Sequence, residues 1–304
     1  MKPRIVVVGS SNTDMIIKLP HLPKPGETVL GGEFHMVNGG KGANQAIAAA
    51  RAGGQVSFIS CIANDSFGSG TLKHLKKEGI DETSIKIIEN ESSGIALINV
   101  ADSGENSISV APGANKQLLP KDIEERKSLI KSADALLIQL EIPIETVYHT
   151  IKLANNYNIP IILNPAPAQQ IDPEILKLVT IITPNENEAM EISPQVDGKI
   201  DRMELVKILH KLKIETVIIT LGEKGVLYSN NGQVGHIESI KVSAVDTTAA
   251  GDTFNGYLAT LLAKGESLEN AVRVANYAAS ISVTRMGAST SIPYMDEVLK
   301  SINA

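Results

Sequence analysis

The chain has 304 residues, of which 43% are hydrophobic and 3% are aromatic, and its formal net charge is −6. This balance is typical of a globular protein with a large core, and it disfavours a nucleic-acid-binding surface. The single cysteine, Cys61, excludes an internal disulfide framework, and its apolar surroundings indicate a buried thiol. No apolar run approaches the roughly 20 residues of a membrane span, and no signal-peptide pattern opens the chain, so we expect a cytoplasmic protein.

A buried strand is predicted near the N-terminus, where residues 4–9 form a nearly continuous β-branched run. Asn12 and Asp14 follow it, at the end of a strand where α/β sheets bind ligands. Their amide and carboxylate suit sugar hydroxyls, although an Asx turn is the alternative. Two strands at 15–19 and 27–37 come next with no helix between them, which predicts a flap beside the sheet.

A glycine-rich turn over residues 38–44 opens an alanine-rich helix over 45–52. Its glycines, including Gly40, allow the backbone to approach a ligand closely, and Asn44 would point back toward that ligand. The P-loop spacing is missing, so on local grounds we favour a solvated or structural role for Lys41. Lys41 is nevertheless kept with Gly40 and Asn44 among the candidate substrate-binding residues.

Strands and helices alternate over most of the remaining chain. Strands are predicted at 56–62, 85–88, 135–140, 160–163, 179–183 and 216–220, with hairpins at 94–110 and 226–238. Helices are predicted near 67–78, from about 120, and over 144–157, 201–212, 251–264, 267–284 and 294–302. This alternation predicts an α/β fold with a mainly parallel central sheet between layers of helices.

Polar residues follow the ends of further predicted strands. Glu141 ends the strand at 135–140, and a second glycine-bearing turn covers residues 221–225. Asn185 and Glu188 lie three residues apart where a helix begins, so they share one face. Together they suit a hydrated Mg²⁺ or a phosphate, and capping of the helix is an equal alternative.

A loop of small residues, 246–251, precedes an apolar stripe at helical spacing. The first N–H groups of that helix lack intrahelical partners, and small side chains let an anion come close to them. Ala249, Ala250 and Gly251 are therefore the candidate anion-binding turn. Asp252, in the first turn, could take a proton from a hydroxyl group beside that anion, although on this stretch alone a simple helix cap is equally good.

Two segments, Gly-Gly-Lys-Gly-Ala-Asn-Gln over 39–45 and Asp-Thr-Thr-Ala-Ala-Gly-Asp-Thr-Phe-Asn-Gly over 246–256, resemble the signatures of the ribokinase family of sugar and nucleoside kinases. The resemblance covers essentially the whole chain. It implies a ribokinase-like three-layer α/β/α sandwich, one domain over 1–304, and a small β-sheet lid from about 12–36 and 92–112. It also implies a homodimer joined through the lids.

The resemblance implies an activity: phosphorylation of D-ribose at O5 by ATP, giving D-ribose 5-phosphate for ribose catabolism, with Mg²⁺ and an activating K⁺. One alternative is a kinase of the same fold for another sugar or a nucleoside, such as deoxyribose. Another is a sugar-binding regulator without catalysis. Asp252, Glu188 and the anion-binding turn disfavour the regulator, because binding alone needs no base.

The resemblance also implies a role for each site residue. Asp252 is the general base, and the N–H groups from Ala249 to Asp252 form the anion hole. The sugar-binding positions are Asn12, Asp14, Gly40, Asn44, Glu141 and Asp252, with Lys41 beside them. The nucleotide-binding positions are Asn185, Thr220, Gly222, Gly225, Gly251 and Asn276, and Glu188 organises Mg²⁺. The potassium site comprises Asp246, Thr248, Ser282, Arg285, Gly287 and Ser291, partly through backbone carbonyls.

Overall fold

The computed structural model describes residues 1–193 and 201–302. Along the chain, the strands are β1 (Arg4–Val8), β2 (Asn12–Leu19), β3 (Phe34–Gly39), β4 (Gln55–Ala63), β5 (Ile85–Ile88), β6 (Gly94–Ala101), β7 (Asn106–Ala111), β8 (Ala135–Ile138), β9 (Ile161–Leu163), β10 (Ile181–Ile182), β11 (Thr216–Thr220), β12 (Val226–Asn230) and β13 (Gln233–Ile237). The helices are α1 (Lys41–Arg51), α2 (Ser66–Lys77), α3 (Pro120–Glu124), α4 (Lys127–Lys131), α5 (Ile144–Asn156), α6 (Pro173–Leu176), α7 (Glu186–Ile192), α8 (Arg202–Lys211), α9 (Ala250–Ala263), α10 (Leu268–Ser282) and α11 (Met295–Ile302). Short 3₁₀ helices lie at Glu82–Ser84, Gly113–Gln117 and Gly222–Lys224.

The central sheet has the order β13-β12-β11-β10-β9-β8-β1-β4-β5. Its strands run parallel from β11 to β5, and β12 and β13 extend the sheet as antiparallel strands. Side chains of β1 alternate between two cores: Val6 and Val8 pack on one face, and Ile5 and Val7 on the other. Helices α3 to α8 cover the first face, while α1, α2 and α9 to α11 cover the second. The predicted three-layer α/β/α sandwich is confirmed.

A second sheet, with the order β3-β2-β6-β7, lies outside the sandwich, and we call it the lid. β2 pairs antiparallel with β3 and parallel with β6, so both early insertions belong to one sheet. The strand predicted at 27–37 is wrong over its first half, because pairing begins only near Phe34. Gly32 has a φ of 75°, and a Cβ atom there would lie 1.5 Å from the Lys18 carbonyl oxygen, so this close turn prevents an extended strand.

Two further predictions differ from the structure. The helix expected from about 120 is divided into α3 and α4 at Arg126, whose guanidinium takes the Asp122 carbonyl that a continuous helix would need. The strand expected at 179–183 shortens to β10, and α6 was not predicted. None of the helices in the described residues has the length and apolar character that crossing a bilayer requires.

Helices α1 and α9 pack unusually closely. A Cβ atom at Gly256 would lie 2.4 Å from the Ala48 Cβ atom and 2.6 Å from the Gln45 carbonyl oxygen, so only glycine fits there. Ala48 and Ala49 are fully buried beside Gly256. Because small residues line both helices, the start of α1 can reach the first turn of α9.

Candidate active site

Two cavities meet at the carboxyl ends of the parallel strands. The first, of about 590 Å³, lies beneath the lid, and the second, of about 700 Å³, lies toward β11 and α10. Thr220, Thr247, Ala250 and Gly251 line both cavities, so the turn before α9 forms the boundary. A ligand in each cavity would therefore meet the other at this turn.

The structure distributes the predicted site residues between these cavities. Around the first lie Asn12, Asp14, Gly40, Lys41, Asn44, Glu141, Asn185, Glu188, Thr220, Asp246, Thr248, Ala249, Ala250, Gly251 and Asp252. Around the second lie Thr220, Gly222, Gly225, Ala250, Gly251 and Asn276. Ser282, Arg285, Gly287 and Ser291 line neither cavity.

The N-terminus of α9 is open to a ligand. Ala249 stands at the cap position with a left-handed φ of 60°, and it provides no side-chain hydrogen bond to the helix. By contrast, Asp65 caps α2 and Ser267 caps α10 with side-chain oxygens. The start of α9 therefore lacks a side-chain cap, although the Ala250 N–H donates to the Thr247 carbonyl at 3.3 Å. An uncapped helix N-terminus is suited to an anion, and the anion-binding turn stays a prediction.

Asp252 is buried at the junction of the cavities, with 7% of its surface exposed. Asn44 Nδ2 donates a hydrogen bond of 2.9 Å to Asp252 Oδ2, and Gln45 Nε2 donates one of 2.9 Å to Oδ1. Gln45 was not predicted as a site residue. The one sequence feature that indicates it is its place directly after Asn44 in the glycine-rich motif. The carboxylate is thus held by two neutral amides from α1, beside the open helix terminus.

Asn12 and Asp14 lie on lid strand β2, so the Asx turn considered for this segment is wrong. Pairing with β6, far along the chain, extends the backbone here. Asn12 Oδ1 accepts a hydrogen bond of 2.8 Å from Asn115 Nδ2. The Asp14 carboxylate lies against Gly39, where a Cβ atom would be 2.0 Å from Oδ2, so the glycine makes room for it.

Asp14 carries a strongly perturbed carboxyl group. Burial raises its pKa to about 7, and the negative charges of Glu141, Asp252 and Asp246 add to the rise, while Lys41 opposes it. Burial and three nearby negative charges therefore bring the pKa of this carboxyl group close to neutral pH.

Lys41 is half buried in the cavity wall, so the solvated role allowed by the missing P-loop spacing is wrong, while the structural role is not contradicted. Burial lowers the pKa of Lys41, but the carboxylates of Asp252, Glu141, Glu188 and Asp14 outweigh it and raise the pKa above its ordinary value. The ammonium group is therefore charged, and it is the counter-charge for carboxylates that come from four different elements.

Glu141 connects the first cavity to the loop after β1. Its Oε2 atom accepts hydrogen bonds from Ser10 Oγ at 2.5 Å and from the Lys41 backbone N–H at 3.0 Å. These contacts hold the carboxylate at the tip of the segment that follows β8, near the glycine-rich turn. Glu141 is thereby placed to accept hydrogen bonds from a ligand in the first cavity.

Asn185 and Glu188 form a reciprocal cap on α7. Asn185 Oδ1 accepts from the Glu188 N–H at 2.8 Å, and Glu188 Oε2 accepts from the Asn185 N–H at 2.8 Å. The capping alternative is thus confirmed, yet both residues also line the first cavity. Burial raises the pKa of Glu188, and capping engages only one of its oxygens, so the other can serve a cation.

Backbone turns shape the second cavity. Gly222 and Gly225 have φ values of 59° and 87°, and a Cβ atom at Gly225 would lie 2.0 Å from the Ile237 carbonyl oxygen. Asn276 donates from Nδ2 to the Glu238 carbonyl at 2.9 Å, which orients its amide at the wall. Asn185, predicted with this group, lines the first cavity instead.

Asp246 joins the turn before α9 to the loop after α10. Its Oδ1 atom accepts from the Thr248 N–H and its Oδ2 atom from the Gly287 N–H, both at 2.9 Å. Arg285 points toward α11, where its guanidinium pairs with Glu297 at 2.5 Å. The described residues contain no cluster of three or more His, Cys, Asp and Glu side chains suited to a metal. Both carboxylate oxygens of Asp246 thus accept backbone N–H groups, and the potassium site at Asp246 stays a prediction.

The perturbed Asp14 gives a prediction about stability. Its pKa is raised on folding from 3.8 to about 7, so the folded protein holds a proton that the unfolded chain releases. Stability should therefore fall as pH rises through this window. Without ligand, the free energy of unfolding of Asp14→Asn minus that of wild type should increase by about 2 to 3 kcal/mol from pH 5 to pH 8. Urea unfolding at the two pH values measures this difference.

Asp65→Asn is the matched control. Hydrogen bonds from Gly68 and Ser93 outweigh burial and hold the pKa of Asp65 below its ordinary value. The difference between this variant and wild type should therefore be the same at pH 5 and pH 8. An Asp14→Asn difference that is equally independent of pH would contradict the electrostatic description of the first cavity.

Comparison with known proteins agrees with this geometry. The pfkB family carbohydrate kinase model matches residues 2–295. The ribokinase of Haemophilus influenzae is 44% identical over 301 residues, covering 99% of this chain and 98% of the relative. A deoxyribokinase of Salmonella typhi is 35% identical, with 96% of each chain covered.

Solved structures give the same result. Ribokinase from Thermotoga maritima superposes with a TM-score of 0.91 at 39% identity, and both chains are covered completely. Arabidopsis thaliana ribokinase, solved in complex with ribose and ATP, superposes with a TM-score of 0.92 at 31% identity, also over the whole of both chains.

Proposed function

Since the chain belongs to the pfkB family of carbohydrate kinases, we propose that it transfers the γ-phosphate of ATP to O5 of D-ribose. The observation that carries this proposal is the position of Asp252. A buried carboxylate lies where two cavities meet, beside a helix N-terminus that no side chain caps among the described residues. That arrangement supplies both a base for a hydroxyl group and N–H donors for a phosphate.

Ribose would occupy the first cavity. Its hydroxyl groups would be bound by the side chains of Asn12, Asp14, Asn44 and Glu141, with the Gly40 backbone and Lys41 completing the wall. ATP would occupy the second cavity, against Gly222, Gly225 and Asn276, and its phosphates would extend past Thr220 and Asn185 to the turn. The complex of the Arabidopsis thaliana protein with ribose and ATP supports this pair of ligands.

Asp252 would accept the proton of O5 as that oxygen attacks the γ-phosphorus atom. Phosphoryl transfer has a loose, anionic transition state, so positioning and charge stabilisation supply most of the rate. The N–H groups of Ala250, Gly251 and Asp252 would receive the growing charge at the positive end of α9. Because the turn is set before substrate arrives, little reorganisation is needed.

The residues present fit a magnesium ion accompanying ATP. Glu188 has one oxygen outside its capping contacts, and the Asn185 carbonyl oxygen lies on the same turn. Oxygen donors of this kind suit Mg²⁺, which usually keeps several waters. Mg²⁺ would neutralise phosphate charge, while Glu188 would hold its water shell near the turn.

A second candidate is a kinase for deoxyribose, which the similarity to a deoxyribokinase favours. A regulator without catalysis is less well supported, because binding requires neither a buried base nor an open helix terminus. We also propose a cytoplasmic location, where ATP is available.

The activity test uses ADP release with ATP, Mg²⁺ and a panel of sugars. We expect ribose to give the highest kcat/KM, and Asp252→Asn to lower kcat at least about 10²-fold with nearly normal ribose binding, since the amide cannot accept the proton. The control is Asp134→Asn, which only breaks an exposed pair with Arg4. A variant at Asp252 that retains most of its kcat would refute the assignment, and a preference for deoxyribose would select the second candidate.

We further propose that K⁺ activates the enzyme from a site at Asp246, with backbone carbonyls and hydroxyls of Thr248, Ser282, Gly287 and Ser291 nearby, and Arg285 beside the loop. The carboxylate already joins the turn to the loop. A bound cation would add rigidity to that connection without touching substrate.

Potassium should therefore raise kcat substantially over a bulky organic cation at equal ionic strength, with sodium less effective. Asp246→Asn should weaken the response, because it removes the one negative charge of the site, whereas Asp296→Asn on exposed α11 should not. Full activity without potassium, ammonium or caesium would rule the site out.

We also propose a single domain whose lid, formed by the insertions near 12–36 and 92–112, joins two copies of the chain. Met36 and Leu97 flank Met15 in one cross-strand row, and they are 55% and 53% exposed. An apolar row on a small sheet with open edges favours pairing with a second lid.

Sedimentation at micromolar concentration should show a dimer. Leu97→Glu should shift it toward monomer, because a charge would be buried in the pairing surface, while Leu299→Glu on α11 should not. A fully active wild-type monomer would argue against the lid-mediated dimer.

A further inference from the structure

Gln45 is a fully buried amide with every polar atom engaged. Its Nε2 atom donates to Asp252 Oδ1 at 2.9 Å and to Asn164 Oδ1 at 3.0 Å. Its Oε1 atom accepts from Gln139 Nε2 at 2.5 Å. Both N–H bonds and the carbonyl group are therefore matched to partners from three other segments of the chain.

The network determines which way the Gln45 amide points. Asn164 Nδ2 donates to the Thr183 carbonyl at 3.2 Å, and a backbone carbonyl can only accept. Asn164 must then direct Oδ1 toward Gln45, and Gln45 must direct Nε2 toward Asn164. A reversed Gln45 amide would place its oxygen against both Asn164 Oδ1 and Asp252 Oδ1, so the orientation is fixed from both sides.

Gln139 fixes the same orientation of the Gln45 amide by donating to its oxygen atom. It is fully buried directly after β8, and among the described residues the only hydrogen bond of its side chain goes to the Gln45 carbonyl group. Its own Oε1 atom lies beside Gly9, where a Cβ atom would be 2.1 Å away. A buried amide that leaves its own oxygen unpaired is costly, and this placement calls for a role through Gln45.

Neutral donors suit a carboxylate that must accept a proton. A cation bonded directly to Asp252 would hold the charge strongly and oppose protonation, whereas two amides align the oxygens with less cost to basicity. Charged groups do face Asp252 from other elements: Lys41 of α1, Asp14 of β2 and Glu188 of α7. The direct hydrogen bonds to its oxygens from side chains, however, come from Asn44 and Gln45.

We propose that Gln45 is a positioning residue that aims Asp252 at the phosphoryl acceptor, and that Gln139 acts by locking the Gln45 amide. The proposal rests on the proposed function, in which Asp252 is the base. It assigns no contact with substrate to either glutamine. The close contact of α1 with α9 at Gly256 keeps the donor and the carboxylate at a fixed separation.

Three variants test the proposal. Gln45→Met keeps the size of the side chain and removes both donors, and it should lower kcat about 10- to 100-fold, the usual worth of a hydrogen bond to a charged group. Gln45→Glu keeps the shape but places an acceptor against Asp252, so it should lower kcat further. Gln139→Leu should also lower kcat, but by less than Gln45→Met, because it removes the hydrogen bond that orients the Gln45 amide and leaves that amide in place.

The pH profile separates positioning from structural support. Loss of a donor favours the protonated carboxyl group, so the acid limb of kcat should move to higher pH in Gln45→Met and furthest in Gln45→Glu, where two carboxyls share a proton. Ribose affinity, measured by calorimetry, should change less than about threefold, because the glutamines do not touch the sugar.

A kcat for Gln45→Met within about threefold of wild type, with an unmoved acid limb, would overturn the proposal. So would a larger effect from Gln139→Leu than from Gln45→Met, or a loss of melting temperature with unchanged kinetics. If Gln45→Met does not fold, the comparison of Gln45→Glu with Gln139→Leu decides by the same criteria. Failure of the proposed function is distinct: wild type would then not phosphorylate ribose, and the variants would be compared on the substrate it does accept.

Discussion

The contact between α1 and α9 is the constraint on which the rest of the site depends. Gly256 has no side chain, and the alanines of α1 are small, so the two helix backbones approach closely. This approach brings the amides of Asn44 and Gln45 to the Asp252 carboxylate. The same helix, α9, presents its uncapped N-terminus to the boundary between the cavities. One packing contact thus aligns the proposed base with the proposed anion-binding turn.

Repulsion among buried carboxylates makes this arrangement unfavourable for the stability of the unliganded protein. Carboxylates from the lid, from the loop after β8, from α7 and from α9 surround a single ammonium group, that of Lys41. Burial and mutual repulsion raise the pKa of Asp14 to about 7, so the unliganded protein is destabilised by its own site. Sugar hydroxyls and magnesium would relieve part of that repulsion, which gives ligand binding a stabilising effect.

In the proposed function, the lid would link sugar binding to assembly. One of its strands, β2, carries Asn12 and Asp14 on the way from the core to β3. β6 and β7 supply apolar cavity wall through Ile98 and Ile108. Because the outer row of the lid is also apolar, covering that row by a second copy would stabilise the strand that holds Asp14, the carboxylate that we propose binds the sugar.

The sequence by itself determined the layered α/β fold, the turn of small residues before α9 and the helix that follows it. These features depend on local periodicity and on small residues at a helix start, and both are visible along the chain. The parallel sheet followed from the alternation of strands with helices, for the same reason. Even the start of α9 was placed within one residue.

Only the tertiary structure decided what surrounds each of these features. A solvated or structural role was predicted for Lys41 because the P-loop spacing is missing, whereas the four carboxylates that raise its pKa come from segments far apart in the chain. Asn12 and Asp14 lie in an extended strand and not in an Asx turn because β2 pairs with β6, a contact that the residues around them do not specify. Gln45 read as an ordinary helix residue, since the partners that orient a buried amide are chosen by packing across the fold.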